Sequence, residues 1–223
     1  MHYDWQPFFL TLRLAFVTTV ILIVIGVPIA YWLAFSKRRL RFIIEPLVSL
    51  PLVLPPTVLG FYILVAFSPK NLIGAFLESS LGIRVAFSFL GLVIGSVLFS
   101  LPFMVNPIKS GFQNFPRVLV EASYCLGKSR WETFKNVILP NIRPALLSGF
   151  VMAFAHTIGE FGVVLMVGGN IPGQTRLASI MIFSEVEALN YQAANFYSLI
   201  LVFISFFILF IFYYLNRKSI GLF

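Results

Sequence analysis

Apolar runs at about 9–35, 42–67, 86–109, 145–168 and 194–215 leave this chain one kind of environment. Each is long enough to cross a hydrocarbon layer of about 30 Å at about 1.5 Å per helical residue. A water-soluble domain of 223 residues could not hide a composition that is 59% hydrophobic and only 11% charged. In lipid, every backbone N–H and C=O must find its partner inside the protein, and no alternating strand pattern points to a barrel. The expected fold is an all-α polytopic membrane protein with about five transmembrane helices.

Lysine and arginine give these spans a direction. Lys37, Arg38, Arg39 and Arg41 fall on one side, with Lys109, Arg117, Lys128, Arg130, Lys135, Arg143, Arg217 and Lys218. Arg13, Lys70, Arg84 and Arg176 fall on the other. The positive-inside rule puts the larger group in the cytoplasm. The N-terminus is then outside and the C-terminus cytoplasmic, as an odd number of spans requires. The net charge of +8 does not indicate nucleic acid, because the cations sit at the ends of apolar segments and form no single patch. With Asp4 and no leading Lys/Arg cluster, the N-terminus does not read as a cleavable signal, so the first span is expected to stay in the mature protein. The single cysteine, Cys125, excludes an internal disulfide and a four-cysteine metal site.

The second span carries Pro46, Pro51, Pro55 and Pro56, and the third carries Pro102 and Pro107. Each proline removes a helix hydrogen bond, and such breaks persist in membranes where protein or a water-filled cavity covers the freed carbonyls. Two readings stand: a kink that only shapes packing, or a bent helix lining a path. Residues 170–190 are too polar to span. A short outer helix from Thr175 to Ala188 is expected there, with Leu177, Ile180, Met181 and Phe183 apolar.

Between the third and fourth spans, residues 110–143 carry several helix signals. Pro116 suits a first helical turn, and a helix over about 116–126 would end at Gly127, which takes a left-handed C-terminal conformation readily. Ser129 and Glu132 match a capping box, so a second helix starts there, separated from the fourth span by Pro140 and Pro144. Val118, Leu119, Ala122 and Leu126 beside Arg117 and Glu121 suit a helix seated in a partner's groove, while an ordinary surface hairpin is the plainer reading of these signals alone. The result is a cytoplasmic two-helix hairpin.

Glu121, Ala122 and Ser123, then Gly127, and then Val137, Leu139 and Pro140 resemble the EAA motif of ABC-importer permeases. Ser123 stands where the motif has its second alanine, and Val137 where it has isoleucine. Residues 50–60, the stretch Gly159 to Gly162 and the stretch Gly169 to Arg176 resemble the molybdate-transporter branch of that family. The likeness covers roughly residues 9–215, and the permease domain is expected over 9–216. It implies a homodimer of permease subunits and two cytoplasmic ATP-binding subunits docked on the EAA loops. It also implies an external, periplasmic oxyanion-binding protein, and a place in the bacterial inner membrane. No cofactor is expected on this chain, since it lacks the Gly-x-x-x-x-Gly-Lys-Ser/Thr phosphate loop. ATP and magnesium would belong to the partner ATPase.

An oxyanion needs N–H donors, hydroxyls or positive charge along its route. Thr57 beside the Pro55–Pro56 break is a candidate, as are Ser96 and Ser100, four apart on one helix face. Back-bonding to their own helix is the plainer reading of each serine. Phe103 and Met104 are a candidate apolar gate. His156 and Glu160 are read as the strong ionisable groups within a span, four apart on one face of a continuous fourth helix. A carboxylate would repel an anion, so a structural role is expected, with Glu160 bonded to backbone or to an arginine such as Arg176. Gly159 and Gly162 would let a neighbouring helix come close. Arg84 and Arg176 lie outside, where they are solvated, attract the anion or meet acidic groups of the binding protein, solvation being the plainer reading. The alternatives are a tungstate or sulfate permease of the same family, and a proton-coupled carrier working through His156 and Glu160. A membrane enzyme is disfavoured, because the two histidines include the terminal His2 and no metal cluster or nucleophile–base pair is visible.

Overall fold

The computed structural model describes residues 4–220, and the side chains of residues 4–214. Every regular element among the described residues is helical, and Arg217 and Lys218 of the charge argument have no described side chains. In order the helices are α1 (Gln6–Phe35), α2 (Arg41–Ser49), α3 (Pro56–Ala66), α4 (Leu72–Leu81), α5 (Phe89–Gln113), α6 (Arg117–Cys125), α7 (Arg130–Thr133), α8 (Leu139–Asn141), α9 (Arg143–Ile158), α10 (Gly162–Gly168), α11 (Ala178–Glu187) and α12 (Tyr191–Ile220). A π-helical turn over Phe134–Ile138 makes α7 and α8 one continuous rod.

Among the described residues, α1, α5 and α12 are long and apolar enough to cross a membrane alone, and two bent pairs, α2 with α3 and the α7–α8 rod with α9, raise the number of candidate spans to five by length and composition. In lipid there is little hydrophobic drive to pair helices, so their association depends on close contact and interhelical bonds. Glycines make that contact possible where α1, α5 and α9 meet. A Cβ on Gly26 of α1 would lie 2.9 Å from Met104 Cγ, and one on Gly149 of α9 would lie 2.9 Å from the Met104 carbonyl oxygen. Leu22, Met104, Val105 and Ile108 fill the space between and are fully buried. Ser88 starts α5 by accepting the Gly91 N–H at 3.2 Å.

The second span is not one kinked helix over 42–67. It divides into α2 with a 3₁₀ turn at Leu50–Leu52, and α3, at an angle of 111°. Pro51, Pro55 and Pro56 supply no N–H, and Pro55 in an extended conformation stops the first half before Pro56 opens the second. The fourth span is likewise not continuous over 145–168. α9 ends at Ile158, and α10 begins at Gly162. The two second halves, α3 and α10, pack together, with Ile63, Val163 and Val167 as a small buried cluster. A Cβ on Gly60 would lie 2.7 Å from Met166 Cβ, and one on Gly162 would lie 2.7 Å from Pro56 Cβ. The expected outer helix is present as α11, three residues shorter at its start and one at its end, with Leu177, Ile180 and Met181 buried and Phe183 exposed. The short helix α4 was not expected. Asn71 caps its start, and Gly82 ends it in the left-handed region.

Candidate functional site

The two broken spans meet at one concavity. It is about 580 Å³ in volume and is lined by Pro56, Thr57, Phe99, Ala155, His156, Gly159, Glu160 and Phe161, among others. The breaks create it. Because α9 stops at Ile158, the peptide from Gly159 to Phe161 leaves the helix axis, and the start of α3 faces it across the gap. Thr57, the candidate beside the proline break, is exposed there.

His156 is fixed from behind. Its Nδ1 lies 2.9 Å from Ser100 Oγ, and Ser100 Oγ lies 3.0 Å from Thr157 Oγ1. Thr157 donates its own proton to the Ala153 carbonyl at 2.9 Å. One chain of donation satisfies all three contacts: His156 Nδ1–H to Ser100, Ser100 to Thr157, Thr157 to Ala153. It leaves His156 Nε2 as an acceptor. Phe103 stacks on the imidazole with ring centres 3.9 Å apart, and Phe99 tilts against it at 4.8 Å. Ser100 therefore bonds across to another helix and not back to its own.

Several expectations about this region need correction. His156 and Glu160 do not share a helix face, because the helix ends between them. Glu160 bonds to neither backbone nor Arg176. Its carboxyl is buried, faces the equally buried Ser96 hydroxyl, and closes no hydrogen bond. Its backbone carbonyl accepts the Ser179 hydroxyl at 2.7 Å. Arg176 instead donates Nε–H to Asn170 Oδ1 at 2.8 Å. Gly162 permits the close approach expected of it, but Gly159 does not: it is exposed, and a Cβ there would meet nothing nearer than 3.9 Å. Met104 is fully buried against Gly26, so of the two gate candidates only Phe103 stands beside the concavity. Arg84 is exposed away from it, in the turn after α4.

Glu45 was passed over in the sequence. It accepts Arg41 Nε–H at 3.0 Å and Lys109 Nζ–H at 2.6 Å, tying α2 to the end of α5. The signal was present as an acid inside an apolar run, four residues after an arginine.

The hairpin over 110–143 forms as its signals indicate. α6 ends at Cys125, and Gly127 follows with φ +76°. The capping box is complete: Glu132 N–H donates to Ser129 Oγ at 3.2 Å, and Ser129 N–H to Glu132 Oε2 at 2.8 Å. The Ser129 N–H and hydroxyl, helped by Lys128, hold the Glu132 carboxyl below the usual glutamate value. Ser123 Oγ lies 2.9 Å from Thr133 Oγ1, a buried contact that joins α6 to α7. Glu121 and Ala122 are exposed, as are Val118, Leu119, Tyr124 and Leu126, so α6 offers an uncovered apolar face. Val137, Leu139 and Pro140 lie in the π turn and the last turn of the rod, half-buried. Pro140 does not separate the rod from the fourth span; the chain turns at Ile142, by 66°.

A helical bundle with two broken spans around one concavity, and with a helical hairpin offering an uncovered face, is a membrane transport subunit built to work with partners. The chain belongs to the family of binding-protein-dependent transport system inner membrane components, whose model matches residues 26–220. It is 46% identical over 222 residues to the molybdenum transport system permease protein ModB of Azotobacter vinelandii, covering 99% of this chain and 98% of that one. It is 35% identical over 214 residues to the protein named "Probable sulfate transport system permease protein cysT" of Zygnema circumcarinatum, covering 93% of this chain and 74% of that protein. Solved structures share the fold at low identity. A chain of the inward-facing MetNI methionine ABC transporter superposes with a TM-score of 0.75 at 18% identity, covering 96% of this chain and 94% of that one. A chain of the bacterial alginate ABC transporter, in complex with its alginate pentasaccharide-bound periplasmic protein, gives 0.78 at 16%, covering 97% and 79%.

Proposed function

We propose that this chain is the pore-forming subunit of an ATP-driven molybdate importer in the bacterial inner membrane, with its domain over residues 9–216. Identity of 46% along nearly the whole length of ModB carries this reading. Two copies would form the pore, and the sparsely buried α12 is apolar surface available for a second copy or for lipid. Two separate subunits would bind ATP with its magnesium and seat on α6 and its partner rod. A periplasmic protein would deliver the oxyanion at the end where α1 and α12 begin, and the hairpin would then lie in the cytoplasm.

The path would pass the concavity between the breaks. Its lining has a hydroxyl at Thr57, an imidazole at His156 and Glu160, whose carboxyl oxygens are buried, but no lysine or arginine, so a dianion would be held weakly and released. ATP binding would draw the two hairpins together, and the packed halves α3 and α10 would move as one body between an outward-open and an inward-open state. Glu160 and Ser96 would be a structural polar pair behind the path. Sulfate, tungstate and molybdate are all tetrahedral dianions, so the binding protein would set much of the selectivity.

The test is co-purification with the ATPase encoded alongside, then uptake of labelled molybdate, tungstate and sulfate into proteoliposomes. ATP-dependent molybdate uptake that needs the binding protein is the expected outcome. Preference for sulfate would reassign the cargo. Uptake with no ATPase present would replace the importer with an autonomous carrier.

A further inference from the structure

A second concavity lies beside the first turns of α1, lined by Gln6, Phe9, Leu10, Arg13, Gly173 and Arg176, with a volume of about 250 Å³. We propose that it holds the phosphate of a membrane phospholipid headgroup. This rests only on the chain being embedded in a bilayer, and not on the identity of its cargo.

Two guanidinium groups line one small space. Every ion pair among the described residues uses Glu45 or Glu132, so neither Arg13 nor Arg176 meets a carboxylate. The acid nearest in sequence, Asp4, accepts the Gln6 N–H at 2.9 Å. Arg13 is held by its face, 4.6 Å above the Phe89 ring. Arg176 is held by its Nε–H on Asn170. Both are therefore positioned by contacts that leave donors over, and a planar guanidinium matches phosphate oxygens in pairs. The loop wall is built for closeness: Gly173 has φ +72°, and a Cβ there would lie 3.4 Å from Gln6 Oε1.

The surroundings favour lipid over a soluble anion or a protein acid. Phe9, Arg13, Phe16, Val20 and Val24 recur at spacings of three and four, on one face of α1. The four apolar members are exposed, Phe9 at 73% and Val24 at 68%, so the stripe faces whatever surrounds the bundle. Arg13 is its one cation and sits about 10 Å along the helix from Gln6. Half-exposed Trp5 and exposed Tyr191 mark the same end as a membrane interface, since Trp5 packs on Phe196 and the two helices start together. A phosphate seated between the arginines would place its acyl chains down the stripe below Arg13. The concavity thus opens sideways, where a phospholipid reaches it.

The experiment is native mass spectrometry of the full chain purified in mild detergent, with phosphatidylglycerol added. The unmodified chain should keep a phospholipid adduct, and Arg13→Gln should lower its retention about five-fold, the share expected of one surface cation. Arg84→Gln should leave retention unchanged. Thermal unfolding in the same detergent identifies any variant that fails to fold, and Arg13→Lys, which keeps the charge but loses the paired donors, should show intermediate retention. Equal retention in Arg13→Gln and the unmodified chain would overturn the proposal. So would displacement of the adduct by millimolar inorganic phosphate, which would make this a free-oxyanion site. Loss of binding-protein-stimulated ATPase activity in Arg13→Gln with lipid retention intact would assign the arginines to an acidic protein surface instead.

Discussion

A single methyl group should distinguish the two glycines that flank Glu160. At Gly162 the new carbon would lie 2.7 Å from Pro56 Cβ, inside the contact that joins the two broken spans. Gly162→Ala should therefore cost about 1–3 kcal/mol, the usual range for overpacking. At Gly159 the nearest atom is 3.9 Å away and φ is −84°, so Gly159→Ala should stay within about 0.5 kcal/mol. Thermal unfolding of both variants in detergent checks the pair, and equal losses would show that α3 and α10 do not depend on this contact. The sequence placed both glycines in one expectation. It could not separate them, because which glycine a neighbour reaches is a property of that neighbour's position.

At the scale of an element, the hairpin stands on one backbone angle. Gly127 has φ +76° and open space around it, so its residue type is dictated by conformation and not by crowding. Proline fixes φ near about −65° and cannot take this angle. Gly127→Pro should leave membrane insertion intact, cost on the order of 1–3 kcal/mol locally, and uncouple the partner ATPase from transport. The readouts are membrane fractionation beside ATP-driven uptake, and loss of insertion would show that the hairpin is needed to build the bundle. The capping box adds a pH dependence. The Glu132 carboxyl is held below the ordinary value of 4.5 by its bonds to Ser129 and by Lys128. A depressed carboxyl stabilises the fold above its unfolded value and loses that contribution as pH falls through the lower folded one. The α7 start should thus loosen in acid below about pH 4.5 and hold above it. Proteolysis at Lys128 and Arg130 with an acid-tolerant and a neutral protease should show this, and Glu132→Gln should flatten the difference.

The whole molecule offers its own probe of orientation. Cys125 is the single cysteine of the chain and is exposed at the end of α6. A membrane-impermeant maleimide should label it in inverted vesicles and spare it in intact cells. Labelling from outside would reverse the direction inferred from the lysines and arginines, and with it the side on which ATPase subunits could dock.

The chain's order alone fixed what depends on near neighbours along it. Apolar length called for helices in lipid, proline called for breaks, and Ser129, Glu132 and Gly127 wrote the hairpin's caps and turn, because these effects act within about one helical turn. Tertiary structure decided what distant segments do to one another. Only folding shows that the fourth span breaks before Glu160, that Ser100 serves His156 and not its own helix, and that Glu45 is claimed by Lys109. The physical reason is that a side chain in lipid is satisfied by whichever partner packing brings within about 3 Å, and spacing along the chain cannot name that partner.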